Sequence, residues 1–282
     1  MKSVFLKRNR RNSHRSWQAK WIWCGGIDRA HNIYIYARKK FSLPAAPSSA
    51  ALKITADSRY KLFVNGHYIG RGPVPSLPSH YSYDVYDVAQ HLQSGENVIA
   101  VIVHYIGERT YSYIPGRPAL ICEMDAELEG GKEKIISDES WRVLPSKAWS
   151  AAGARISPRL GFQEVYETSL APQGWTKPNY SDESWEQALV IGEPPAKPFN
   201  NLVPRKIPHL TENTACPRSV VGVYEVPELP RKTSPRNMAN FMSRENLTKP
   251  ETGSFEGAER LLTQRRSAAK INPPRSGGMS IR

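Results

Sequence analysis

The stretch ADSRYKLFVNGHYIGRGP, residues 56–73, decides the fold of this chain. Tyr60–Val64 is rich in aromatic and β-branched side chains, Asn65-Gly66 follows, and His67–Arg71 continues in extended character. An Asn-Gly pair between two such runs is the strongest short-range hairpin signal, because a type I′ turn needs φ > 0 at both central residues. Asn tolerates that region and Gly enters it freely. Gly70 and Gly72 loosen the outgoing strand, and Pro73 ends its pairing. A hairpin of this kind also decorates unrelated surfaces, so it is read together with the residues after it. Tyr83–Val88 leads into a short helical turn over Ala89–Leu92, and Gly95-Glu96-Asn97 opens a continuous apolar strand, Val98–Val103.

Strands extend from this centre in both directions. Trp17, Trp21 and Trp23 are spaced like one face of an extended segment, and clustered Trp side chains are more often core anchors than sugar platforms. Asn32–Leu43 reads as a strand with Ile33, Ile35 and Ala37 on one side and Tyr34, Tyr36 and Arg38 on the other. Ala51–Ala56 alternates again and enters the hairpin. Pro118–Leu128 is a further strand, turned at Gly130-Gly131, with Lys134 onward as its return. Two similar phrases follow, SDESW at 137–141 and again at 181–185, read as capped turns with a structural role.

The chain has 282 residues, a formal net charge of +13 and a pI near 9.7. The charge is unevenly placed. Residues 1–20 carry seven Lys/Arg and no acid, and residues 231–282 carry eleven Lys/Arg and four acids. The middle, 21–230, holds 21 basic and 22 acidic residues, so it has no basic bias that a specific nucleic-acid partner would explain. The tails can still attach to polyanions non-specifically. Cys24, Cys122 and Cys216 form neither a metal pattern nor a disulfide framework, and the first two sit in apolar runs as buried thiols. Val4–Leu6 is too short for a signal-peptide core and no 18-residue apolar span exists, so the expectation is a soluble, cytoplasmic protein with no membrane association.

The succession V-N-G (64–66), Y-D-V (86–88), L (92) and G-E-N-V-I-A-V (95–101) resembles the sugar-binding-type β-sandwich of glycoside hydrolases. Its details are most similar to the N-terminal region of bacterial α-L-rhamnosidases. The N-terminal jelly roll of the β-galactosidase/β-glucuronidase family shares the hairpin and the GEN strand. Later phrases extend the likeness: W-I-W at 21–23, G-F-Q-E-V-Y-E at 161–167, Gly174-Trp175, and the PRKIPHLTE link at 204–212. The resemblance spans about residues 17–226. It implies an all-β fold, a galactose-binding-like jelly-roll sandwich over 17–145. An irregular β-rich extension and linker over 146–212 and a stub of a following β-domain over 213–230 complete it, flanked by disordered basic tails at 1–16 and 231–282. The strand at Val220 is then expected to lack its partners and to expose an edge.

Glycosidases need two carboxylates facing the scissile bond. In the family that this region resembles, the pair belongs to a large helical barrel on the C-terminal side, and the residues after Val226 lack the period of such a barrel. No catalytic residue is therefore expected here, and Asp57, Asp84, Asp87, Glu164 and Glu167 are read as turn formers, caps or ligand contacts. Binding candidates come from the hairpin and from the Tyr-rich loop 104–117: Asp57, Arg59, Arg71, His104, Tyr105, Arg109, Tyr111 and Tyr113. Aromatic rings beside charged groups are what a sugar site needs, since rings stack on apolar C–H faces while polar groups bond hydroxyls. A Tyr-rich loop packed on the sandwich edge is the competing account. A Ca²⁺ site is left open with Asp57 as its candidate ligand, and no other cofactor is expected. Three functions follow: a non-catalytic module that recognises or positions rhamnose-containing glycans, a fragment of an α-L-rhamnosidase with no activity of its own, or an interaction protein whose basic tails dock an acidic partner. Oligomeric state is not legible.

Overall fold

The computed structural model describes residues 17–26, 31–155, 157–213, 220–225 and 277–281. Its strands in chain order are β1 (Trp21–Trp23), β2 (Ile33–Leu43), β3 (Ser49–Asp57), β4 (Arg59–Val64), β5 (His67–Gly72), β6 (Tyr81–Asp87), β7 (Gly95–Tyr105), β8 (Ala119–Leu128), β9 (Gly131–Ile136), β10 (Arg142–Pro145), β11 (Glu186–Gln187), β12 (Leu189–Gly192), β13 (Leu202–Pro204), β14 (Val220–Glu225) and β15 (Gly277–Ile281). Among the described residues the only helical elements are two single 3₁₀ turns, at Ala89–His91 and Thr168–Leu170. The fold is all-β.

Two sheets form the sandwich. The first runs β12-β1-β8-β3-β6-β13 with β9 added to β8, and the second runs β11-β10-β2-β7-β4-β5. The hairpin is as read: β4 and β5 pair antiparallel around Asn65 and Gly66, which stand at φ 50° and 85°. Asn65 does more than turn. Its amide donates to the His91 carbonyl at 2.8 Å and its Oδ1 accepts from the Val98 N–H at 2.8 Å, tying the turn to the start of β7. The facing sides of the sheets are filled by period-2 positions: Ile35 and Ala37 of β2, Leu52, Ile54 and Ala56 of β3, Leu62 and Val64 of β4, Ile99, Val101 and Val103 of β7, and Leu120, Cys122 and Met124 of β8. Cys24 and Cys122 are both buried, and burial pushes the Cys122 thiol far above its ordinary range.

Three features go beyond the sequence reading. First, the side of β2 that carries Tyr36 and Arg38 is covered. On the outer side of the second sheet the Trp149, Trp175 and Trp185 rings pack on Tyr36 with centroids at 6.1, 4.8 and 6.1 Å. Arg38 is fully buried there and donates to Asp182, to the Tyr180 carbonyl at 3.3 Å and to the Lys177 carbonyl at 2.8 Å. Second, Trp21 and Trp23 do not share one packing group. A register shift between Trp21 and Ile22 sends Trp23 into the main core against Tyr105, and Trp21 into a second cluster, stacked on Phe199 at 4.3 Å. Third, the stretch after 145 supplies sheet edges: β11 pairs β10, β12 pairs β1 and β13 runs parallel to β6.

The Val220 strand also has a partner, because β14 pairs antiparallel with β15. The expected disordered tail at 1–16, and Cys216, lie outside the described residues; of the one expected at 231–282 only 277–281 are described, and they form β15 instead of disorder, because β14 supplies a pairing edge. Both SDESW phrases close turns, with the Trp141 N–H donating to the Asp138 carbonyl at 3.2 Å and the Trp185 N–H to the Asp182 carbonyl at 3.0 Å. Both Trp side chains are buried. No helix among the described residues is long and apolar enough to cross a membrane.

Candidate functional site

The loop from β7 to β8 is pinned from beneath by the last residue of β3. Asp57 is fully buried, and its carboxylate accepts from the Tyr113 hydroxyl at 2.6 Å and from the Gly116 N–H at 2.9 Å. Gly116 is required by this approach, since a Cβ there would stand 2.4 Å from Asp57 Oδ2. The neighbouring Ser58 hydroxyl accepts from the Ile106 N–H at 3.0 Å. Burial pushes the Asp57 carboxyl up to about 6, against the downward pull of the Tyr113, Gly116, Ser58 and Tyr81 contacts. The loop floor is thus Asp57, Tyr113 and Tyr105, all buried.

This carboxyl sets a pH dependence with a definite sign. Its folded value of about 6 lies above the ordinary 3.8. Its stabilising contribution is complete below the unfolded value and is lost as pH rises through about 6, a change on the order of 3 kcal/mol. Asp57→Asn, which is neutral throughout, is expected to flatten the difference in urea midpoint between pH 4 and pH 7. If wild type and variant keep the same pH slope, Asp57 is not the group responsible.

His104 is also structural. Asn32 uses its amide nitrogen on the Ser150 and Ala151 carbonyls at 3.2 and 3.4 Å, so its Oδ1 accepts from His104 Nε2–H at 3.0 Å. The imidazole stacks on Tyr34 with centroids at 4.0 Å. Burial, helped by the Arg59 charge, lowers its pKa to about 3, so the ring is neutral at physiological pH. Arg59 itself is exposed beside it, with Arg59 and His104 directly paired across β4 and β7.

The remaining candidates separate into two open grooves. Arg109 and Tyr111 line one of about 480 Å³, together with Glu108, Thr110, Arg155 and Arg159. Tyr111 is 86% exposed. Its backbone N–H donates to the Arg159 carbonyl at 2.7 Å. Arg155 ties the two walls, donating to the Leu160 carbonyl at 2.9 Å, to the Arg109 carbonyl at 2.8 Å and to Pro158. Arg71 lines a different groove of about 520 Å³ with Lys61, Phe63, Tyr68 and Glu212. There its Nε bonds Glu212 at 2.7 Å, and bonds from Tyr68 and Arg71 hold the Glu212 carboxyl below its usual range.

Thus the eight predicted residues do not form one site. Asp57, Tyr105 and Tyr113 build the loop, His104 is locked to Asn32, Arg59 stands beside it, Arg71 is paired elsewhere, and Arg109 with Tyr111 face a groove. Arg155 and Arg159 were missed, because nothing in a run of arginines and prolines tells which loop it will meet. The other acids serve as turn and bond acceptors: Asp87 accepts from the Ala89 N–H at 3.1 Å, Glu164 from Trp149 Nε1 at 2.7 Å and Glu167 from the Ser169 hydroxyl at 2.8 Å. Among the described residues no group of three or more His, Cys, Asp or Glu side chains converges as a metal site. Asp57 has its acceptor positions directed to Tyr113 and Gly116 inside the fold.

Residues 45–208 match the family described as the alpha-L-rhamnosidase N-terminal domain. The chain is 28% identical over 190 residues to an alpha-L-rhamnosidase of Formosa agariphila, covering 60% of this chain and 20% of that protein. The crystal structure of a GH78 family rhamnosidase of Bacillus sp. GL1 is similar at 38% identity with a TM-score of 0.70, over 75% of this chain and 22% of that one. The native rhamnosidase of Aspergillus terreus shares the fold, with a TM-score of 0.58 at 21% identity over 74% of this chain and 24% of that one. The chain spans about a fifth of the length of the curated relatives it matches.

Proposed function

Since the chain belongs to the alpha-L-rhamnosidase N-terminal domain family, we propose that its sandwich is a non-catalytic, carbohydrate-associated module that recognises or positions rhamnose-containing glycans. The observation that carries this reading is the groove beside the β7–β8 loop, where an exposed Tyr111 ring stands among polar and charged groups on a firmly pinned backbone. A tyrosine face accepts the apolar C–H side of a sugar, and the groups around it bond hydroxyls. The non-catalytic part is supported by how the carboxylates are used. Asp57 and Asp84 are buried in hydrogen bonds, Glu123 binds Lys53 at 2.7 Å, Glu164 accepts from Trp149 and Glu167 holds a turn. Two facing carboxylates with room for a sugar between them are what glycoside cleavage requires. Cytoplasmic location forms part of the reading, supported by Cys122, a buried thiol.

The test combines turnover of p-nitrophenyl α-L-rhamnoside with calorimetry against rhamnose-containing oligosaccharides, using the full chain. Expected are no turnover and weak binding, near millimolar or about −4 kcal/mol, that falls roughly tenfold in Tyr111→Ala. Turnover would place a catalytic pair in this chain. No binding by a folded sample would leave the sandwich a purely architectural part of its family's enzymes.

A further inference from the structure

We propose that the groove between the β7–β8 loop and the wall of Arg155, Pro158 and Arg159 takes an acidic saccharide, with Arg109 and Arg159 clamping a carboxylate or sulfate substituent while Tyr111 stacks on the ring that bears it. This deepens the glycan-binding reading above and rests on it.

The argument begins with charge. Three guanidinium groups line the groove, Arg109, Arg155 and Arg159, against the single carboxylate of Glu108. That excess is local, because residues 21–230 as a whole carry one more acid than base. The three arginines are not equivalent. Arg155 is spent on structure: it bonds three backbone carbonyls, lies 5.5 Å from the Phe162 ring centroid and has Glu108 at 3.9 Å. Arg109 and Arg159 are exposed, and among the described residues neither has a carboxylate within ion-pair distance. The second groove lacks this character, since Arg71 is already paired with Glu212.

Position supports the same assignment. The Tyr111 N–H bond to the Arg159 carbonyl at 2.7 Å and the Arg155 bond to the Arg109 carbonyl at 2.8 Å hold the two walls in fixed register. Arg109, Tyr111 and Arg159 therefore stand around one opening although about 50 residues separate the walls in sequence. Guanidinium forks match the paired oxygens of a carboxylate or sulfate. A tyrosine ring alone would serve neutral sugars equally, so the arginines are what demand the acid. The opening, about 480 Å³, is in the size range of small-ligand sites.

Calorimetry on the full chain with matched probes tests this. Methyl β-D-glucuronide, methyl β-D-glucoside 6-sulfate, neutral methyl β-D-glucoside and inorganic sulfate isolate the acid, its kind and the ring. At least one acidic glycoside is expected to bind about tenfold more tightly than the neutral one, and the stronger of the two identifies carboxylate or sulfate. Arg109→Ala/Arg159→Ala is expected to erase that preference with thermal unfolding unchanged, and Tyr111→Ala to weaken neutral and acidic glycosides alike. Equal affinity for all glycosides, or a preference that survives the double arginine variant, would overturn the proposal. So would inorganic sulfate binding as tightly as the sulfated sugar, or a short oligonucleotide displacing the acidic glycoside at equal concentration. Neutral rhamnosides that still bind while the acidic preference is missing remove this proposal alone; loss of all sugar binding removes the wider reading too.

Discussion

Asp182→Ala is expected to destabilise the sandwich by about 3–5 kcal/mol, read as a fall in the urea midpoint. Arg38 stands in the middle of β2 with its side chain wholly buried against residues 177–185. Burial lowers its pKa and Asp182 opposes that drop. Tyr180 and Trp185 lie on the guanidinium at 4.9 and 5.8 Å and help to cover it from solvent. Lys40, 3.9 Å from Asp182 and partly exposed, is the lesser partner. An uncompensated buried charge is what makes the loss large, since replacing both members by apolar groups is often nearly neutral. Arg38→Met/Asp182→Ala should therefore be more stable than Asp182→Ala alone, a coupling that a double-mutant cycle measures. A loss below about 1 kcal/mol, as for a surface pair, would show that water reaches the guanidinium.

Asp84→Ala is the second large effect, also about 3–5 kcal/mol. Asp84 lies on β6 in one sheet, fully buried, and accepts from Tyr60 of β4 in the other and from Arg205 in the link after β13. One carboxylate thus joins the two sheets and the outgoing chain. Its negative charge pushes the Tyr60 hydroxyl further above a range already raised by burial, so Tyr60 remains a donor at any ordinary pH. Removing it takes the charged acceptor from a buried hydroxyl, left with the Tyr86 hydroxyl at 3.2 Å, and from a nearly buried guanidinium, left with the Pro208 carbonyl at 3.5 Å. The link at 205–212 should then open to trypsin faster than in wild type, in step with the fall in urea midpoint. Unchanged cleavage with a lowered midpoint would confine the role of Asp84 to the two sheets.

The core was legible because its signals are local. Asn65-Gly66 fixes its own backbone, and the alternation over Ala51–Ala56 separates the inward from the outward residues of β3. The continuous apolar run Val98–Val103 marks β7 as a strand without naming its face, and in the structure Val101, Val103 and Tyr105 share the buried side. The burial of Arg38 was not legible, because its partner Asp182 is 144 residues away and no period on β2 reports what covers it. The placing of the site residues was hidden for a similar reason. Tyr111 and Tyr113 stand two residues apart in one Tyr-rich loop, and the acceptor that holds Tyr113 inward is Asp57, 56 residues before it. Tyr111 stays exposed.

On the ribosome, β1 emerges before the other strands of the sandwich, and one of its edges waits even after β8 has paired with the other. It pairs with β12, joining Trp21 to Gly192, while β10 waits for β11 and β6 for β13. Most of the sandwich must be synthesised before its borders can zip, and closing so long a loop makes folding slow. During that interval the waiting strands offer open hydrogen-bonding edges to neighbouring nascent chains. Chaperone demand in the cell should therefore fall sharply once Gly192 and Pro204 have cleared the exit tunnel, and ribosome-bound chains shorter than that should be the ones that aggregate.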